Sequence, residues 1–342
     1  MKQKSLIGIT ELVSILFVSR IFTAVTHQNT PTAGTPISAM LAFAVGFVID
    51  LCLIGIVVFI SKFRPNIKTQ KIFFVLLSLI FITVCASSLA LFTNFVSNEV
   101  LQINKWTVLF LMSVVSTYCA YTSLSSIGRF SLVAFFLTVV SLISMFFVLI
   151  KNFHLNNFRA QEITEFSNIV SQSVFMSSSV FEIISVIITF PLVKGNVRKE
   201  VTRFAIFSFL SLELIIFLIT ATLGAYATLT THSFYTLTKI NSFLSLERID
   251  SLYVAIWTLL AFLRIGYFLF VSKKSLANAF GDKKHLLTVC ISVCFAVASV
   301  FILKPNLIDK TLKLCRTGSI LFIIVTALFL LFSRKEKSKN ES

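Results

Sequence analysis

The hydrophobic positions of this chain fall into long uninterrupted runs rather than alternating with polar ones. Five stretches contain no Asp, Glu, Lys or Arg at all: Ile72–Asn98, Trp106–Gly128, Phe130–Ile150, His285–Leu303 and Thr317–Ser333. Each is near or above the roughly 20 residues that a helix needs to cross a hydrocarbon layer. Five further runs are interrupted by one or two charges, so the pattern predicts ten membrane-spanning helices. They lie at about 6–26, 37–60, 72–97, 106–127, 130–150, 173–193, 204–229, 251–272, 286–303 and 317–333. The last two are short, so the expected count is ten, plus or minus one.

Composition supports the same class. The 342 residues are 56% hydrophobic and only 13% charged, about half the usual charge of a soluble domain. A large soluble helical protein would need amphipathic helices with polar faces, and almost none are present. The first run follows a basic stub at Lys2 and Lys4, but it carries Glu11 and Arg20 and no clear small-x-small site, so it reads as a span rather than a cleaved signal. Cys52, Cys85, Cys119, Cys290, Cys294 and Cys315 sit mostly inside apolar runs without histidine or acidic neighbours. They read as packing residues, not as a disulfide framework or a metal site. No cofactor motif and no glycine-rich nucleotide loop is present.

The formal charge of +16 raises the question of nucleic acid. The basic residues instead flank the apolar runs. With ten spans, alternate connections on one side collect nineteen Lys and Arg, and those on the other collect nine. By the positive-inside rule both termini are then cytoplasmic. The weak point is the basic 304–316 connection, which implies either an interfacial helix or a miscounted span. The outer connections 151–172 and 230–250 are long enough to be partly helical caps, and the connection near Ser125–Arg129 is very tight. The reading is one transmembrane domain over 1–333, followed by a charged, disordered cytoplasmic tail at 334–342.

The informative residues are the ionisable ones inside spans: Glu11, Arg20, Asp50, Glu182, Glu213 and Arg264. Charge in hydrocarbon is costly, so such groups face a partner, a bundle interior or a water-filled path. Counted along their spans at 1.5 Å per residue, Glu182, Glu213 and Arg264 all come to mid-membrane depth. Glu11 and Arg20 are nine positions apart, about 180° round a helix, and cannot share one site on an unbroken helix. Four acids against two arginines suggest a protonated carboxyl, or a site for a cationic or zwitterionic small molecule. For each residue, simple helix packing is the alternative. Ser171, Ser173, Ser177, Ser178 and Ser179 precede Glu182, and small hydroxyl residues serve either close packing or the unwinding of a helix. Trp257, Arg264 and Tyr267, spaced i, i+7, i+10, share one face that could carry a gate, a ligand contact or a packing stripe.

Three segments bear a family likeness: VFMSSSVFEIISVIITFPLV at 174–193, SFYTLTKINSFLSLERID at 233–250, and SLYVAIWTLLAFLRIGYFLF at 251–270. In this order, with ten spans, the chain over residues 5–333 resembles the spore germination permease family. These are the integral-membrane B subunits of nutrient germinant receptors, within the amino acid–polyamine–organocation superfamily. The resemblance implies an all-α fold of two inverted five-span repeats, about 5–150 and 173–333, with spans one and six broken around a central site. It implies recognition of an amino acid or similar nutrient, and assembly with a larger membrane subunit and a lipoprotein subunit in the inner spore membrane or a cell membrane. The ligand pocket would draw on Ile15–Arg20, including Ser19 and Arg20, and on Ser177, Ser178, Ser179 and Glu182, with contributions from spans three and eight. With no glycine near these breaks to expose backbone amides, the sequence itself suggests Arg20 for a carboxylate and Glu182 for an ammonium. Asp50, Glu213, Trp257, Arg264 and Tyr267 would serve coupling or gating. The sequence departs from the superfamily in lacking glycines at these breaks, the nearest being Gly8 and Gly195.

No catalytic set is present, so an enzyme is not expected. The leading expectation is nutrient sensing. The alternatives are a secondary amino acid permease driven by H⁺ or Na⁺, with Glu182 or Glu213 as coupling carboxylate, and an assembly subunit without a ligand.

Overall fold

The computed structural model describes residues 7–26, 36–62, 67–100, 103–158, 165–174, 179–230, 232–240, 249–281 and 284–340. The described residues form helices with one isolated bridge and no named strand. In order these are α1 (Ile9–Thr26), α2 (Pro36–Lys62), α3 (Ile67–Phe95), α4 (Lys105–Tyr121), α5 (Leu124–Leu149), α6 (Phe166–Gln172), α7 (Val180–Thr189), α8 (Val197–Leu223), α9 (Ser233–Ile240), α10 (Ile249–Phe280), α11 (Lys284–Ile302) and α12 (Pro305–Asn340). Among the described residues, seven helices are long and apolar enough to cross a membrane: α1, α2, α3, α5, α8, α10 and α12. The remaining predicted spans correspond to the shorter α4, α7 and α11.

Helices α1 and α10 are largely buried and α3 is more than half so, whereas α5 and α12 present most of their surface outward. The outward side chains are apolar, among them Phe110, Tyr118, Phe136, Phe147, Phe301, Leu314 and Val325. Apolar side chains can face outward on this scale only where the surroundings are themselves apolar. The core is held by helix packing with hydroxyl groups between helices, as expected where no hydrophobic force draws helices together. Ser78 and Ser272 share a hydrogen bond of 2.7 Å, and Ser275 donates to the Phe74 carbonyl at 2.6 Å, so α3 and α10 are tied twice.

The elements differ from the sequence reading in several places. The predicted span 106–127 ends at Tyr121, because Thr122 turns its hydroxyl back onto the Cys119 carbonyl and Ser123 caps α5 by accepting from Ser126 N. Gly128 is therefore not in a turn. It lies inside α5, where a Cβ would come 2.9 Å from Glu11 Cβ, so its missing side chain lets α1 close on α5.

The predicted span 173–193 is split. Helix α6 ends in a π turn at Ser173–Val174, and α7 begins afresh at Val180 and stops at the 3-10 turn Phe190–Leu192, which contains Pro191. By contrast span one, expected to be broken, is one uninterrupted helix from Ile9 to Thr26. It contains neither glycine nor proline, so nothing interrupts its hydrogen-bond ladder.

Beyond α11 there is no long basic connection. Pro305 opens α12, and its missing N–H costs nothing at a helix start. Asn94 of α3 holds the preceding turn by donating to the Leu303 carbonyl at 2.9 Å. At its other end α12 continues through the charged segment to Asn340, over residues with good intrinsic helix propensity, where the sequence reading expects a disordered tail.

The described parts of the long connections 151–172 and 230–250 carry short helical pieces. A 3-10 turn at Leu155–Phe158 is fastened to α8, with Asn157 donating to the Thr220 and Ala221 carbonyls, and α6 and α9 complete them. At the opposite end Ile7 pairs with Val193, its N–H donating to Leu192 O at 2.9 Å and its carbonyl accepting from Lys194 N at 3.2 Å. Gly195 follows at φ +115°, a turn that brings the chain against Ile9.

Candidate functional site

The polar centre of the bundle is built from α1, α2, α3, α7, α10 and α12. Arg264, 1% exposed, reaches from α10 across the core. Its Nη1 donates to Glu182 Oε1 on α7 in a buried ion pair, to the Ser19 carbonyl on α1 at 2.5 Å, and to Ser19 Oγ at 2.8 Å. Its Nε donates to Ser88 Oγ on α3 at 3.0 Å. The guanidinium also lies 4.9 Å from the Phe268 ring centroid, a cation–π distance. Ser19 Oγ in turn donates to Glu182 Oε1 at 2.8 Å. One arginine thereby joins four helices, and Glu182 supplies the counter-charge that its guanidinium needs in an apolar interior.

The backbone around Glu182 is anchored separately. Ser185 donates to the Glu182 carbonyl at 2.6 Å and shares a 2.7 Å hydrogen bond with Tyr267 of α10. Since the Ser185 hydroxyl proton goes to the carbonyl, Tyr267 is the donor in that second bond. At the start of α7, Ser179 N–H faces Asp50 of α2, at 2.9 Å from Oδ1 and 3.0 Å from Oδ2. A carboxylate there neutralises the positive end of the restarted helix. Arg20, also buried, donates from Nη1 to Thr23 Oγ1 at 3.2 Å and stands within charge–charge reach of Glu182, Asp50 and Arg264.

The expected site residues therefore divide. Ser19, Arg20, Ser179, Glu182, Arg264, Tyr267 and Asp50 come together at the centre. Ser177 and Ser178 lie outside the described residues. Trp257 is buried, but in an aromatic cluster with Phe95, Phe234 and Tyr235 at centroid distances of 5.0, 5.4 and 5.7 Å. That cluster lies beside α9, about 10 Å along α10 from Arg264. Glu213 is half-buried on α8, outside the cluster. Glu11 is a local cap, accepting from Gly8 N at 2.8 Å.

Two participants escaped the sequence reading. Ser88 carries no mark that separates it from other span serines. Arg316 is assigned there to a connection, yet it is 3% exposed on α12 and within charge–charge reach of Arg20, Glu182, Arg264 and Asp50. Its signal was present: Ile308, Leu312, Arg316, Ser319 and Ile323 repeat at helical spacing, and all are buried. Arg316 also reverses the expected charge balance. The central cluster holds three guanidinium groups and two carboxylates among the described residues.

Beside Asp50 a small cleft lies between α2, α8 and the start of α7. Phe43, Phe47, Asp50, Ser179, Ser208 and Phe209 are among its lining residues. Among the described residues no group of three His, Cys, Asp or Glu side chains is placed to hold a metal ion.

A family model described as "Spore germination protein" matches residues 68–308, well over half of the chain. In fold the chain is similar to a solved structure of Mhp1, a nucleobase-cation-symport-1 family transporter, in a closed conformation with bromovinylhydantoin bound. That alignment has a TM-score of 0.61 and covers 94% of this chain and 80% of the transporter at 12% identity, so the likeness concerns the fold. Among curated proteins none matches this sequence.

Proposed function

This chain belongs to the spore germination permease family, and from that premise we propose that it is the permease-like membrane subunit of a nutrient germinant receptor, recognising an amino acid or a similar small nutrient at the centre of its bundle. It is an integral, multi-spanning membrane protein with a transporter-like fold, and a permease-family chain rather than an enzyme. The finer parts of the reading are ten spans in two inverted five-span repeats, with both termini cytoplasmic, in the inner spore membrane or a cell membrane. Its partners in this reading are a larger membrane subunit and a lipoprotein subunit.

The observation that carries the reading is the polar network at the restart of α7, where Glu182, Arg264 and Ser19 join α1, α3, α7 and α10. A ligand with its own charged groups competes with this network. A ligand that binds one arrangement of these helices better than another shifts the population between them. The partner subunits would read that shift. In this scheme Ser19, Arg20, Ser177, Ser178, Ser179 and Glu182 serve the ligand, and Asp50, Glu213, Trp257, Arg264 and Tyr267 serve coupling.

The test is loss of function in the source organism, with spore germination scored against a panel of amino acids and other nutrients. The expected result is a lost response to one or a few of them. An unchanged response to every nutrient overturns the reading.

The fold likeness to a transporter favours a second reading, a secondary amino acid permease coupled to H⁺ or Na⁺. Uptake into proteoliposomes that follows an imposed ion gradient would establish it. Binding without such uptake leaves the sensing role.

A further inference from the structure

A restarted helix inside a membrane normally offers its N-terminal amides to an anionic group of the ligand. Here that position is filled by the protein itself, because Asp50 stands against Ser179 N–H with both carboxylate oxygens within 3.0 Å. An anionic ligand must therefore find its counter-charge elsewhere. Arg264 is also committed, with hydrogen bonds to Glu182, Ser19 and Ser88.

Arg316 is differently placed. It enters from α12, eleven residues and about 16 Å from the Pro305 end of that helix. Its guanidinium carbon is 5.9 Å from the Phe181 ring centroid, next to Glu182 at the restart of α7. Its Nε is buried and meets no acceptor among the described residues. Ser319, three residues on along the same face and completely buried, likewise has a hydroxyl without a partner there. Around them the cluster holds one more guanidinium than carboxylate among the described residues. A buried arginine Nε–H without an acceptor among the described residues and a surplus positive charge are both satisfied by one bound anion.

We propose that Arg316, with Ser319 beside it, is the anion contact of the central site, and that the group it takes is the carboxylate of a small zwitterionic or anionic ligand. The proposal rests on the nutrient-binding reading and deepens it, by moving the carboxylate from Arg20, where the sequence reading puts it, to α12. Arg20 then balances Glu182 and Asp50, and the ligand's remaining groups lie toward the start of α7.

The experiment uses the purified full chain in lipid nanodiscs. Thermal stabilisation and calorimetric binding are measured with the twenty common L-amino acids, with the carboxamide of each one that binds, and with glucose and inosine as nutrients lacking a carboxylate. The expected result is binding of at least one amino acid, at least tenfold weaker binding of its carboxamide, and a selectivity that collapses in Arg316→Gln and partly returns in Arg316→Lys. Ser319→Ala should weaken the acid more than the amide. Equal binding of acid and amide by the unaltered protein overturns the proposal, whether or not Arg316→Gln folds. So do unchanged selectivity in a folded Arg316→Gln, binding of carboxylate-free nutrients alone, and no binding at all. The nutrient-receptor reading is decided separately by germination: its failure leaves spores lacking the protein fully responsive, whatever the nanodisc result.

Discussion

Arg264 and Glu182 face each other at 1% and 2% exposure, with Ser19 bonded to both. Removing one member of such a pair leaves a charge without a partner in a medium that cannot solvate it, a loss of about 3–5 kcal/mol. Glu182→Gln and Arg264→Gln should each lower stability by that order. The double substitution should cost clearly less than the two together, because the second removes the charge that the first strands. Thermal denaturation of the detergent-solubilised protein measures all three, and additive losses would show that the two groups do not act as a pair. Asp50 makes a milder case. Asp50→Ala removes the acceptor at the start of α7 and should cost about 1–2 kcal/mol, while Asp50→Asn keeps an acceptor and should cost a fraction of that. The same denaturation series orders the two, and equal losses would mean that the cap is irrelevant.

At the level of elements, close approach decides where helices can sit. Helix α1 lies on α5 at Gly128, where any Cβ would press on Glu11. Gly128→Val should force the two helices apart and cost about 1–3 kcal/mol, as overpacking does. Gly195→Ala should be comparably harmful, since its φ of +115° is hostile to a Cβ and Ile9 fills the adjoining space. Both are read from melting temperature and from the yield of monodisperse protein. The discontinuity of α7 belongs to this scale as well. It depends on Pro191 at one end and on the Asp50 cap at the other, not on glycine.

At the level of the whole molecule, the connection between α11 and α12 is short and α12 starts at Pro305, so residues 305–316 belong to the helix. Together with the distribution of Lys and Arg, this predicts that Lys304 and Lys194 lie on opposite sides of the membrane. In a background without the native cysteines, Lys304→Cys should react with an impermeant maleimide added outside intact cells. Lys194→Cys should react only after permeabilisation. Labelling of both from outside would refute the orientation.

Much of this organisation was legible in the chain itself. The apolar runs marked the seven long, apolar helices among the described residues, because a span needs its own length of hydrocarbon-compatible residues whatever its neighbours do. The same logic made Glu182, Arg264, Arg20 and Asp50 conspicuous, since a charge within such a run is costly enough to require a reason. Arg316 was hidden because a run of lysines beside it resembles a surface connection, although its helical spacing with Ile308 and Leu312 was readable. The tertiary structure alone decided partnership. That Glu182 is held by Arg264, that Asp50 stands at the start of α7, and that Arg316 joins the centre all depend on which helix faces meet. Those contacts link residues far apart in the chain, and hydrophobic periodicity records only that a face is buried, not what it is buried against.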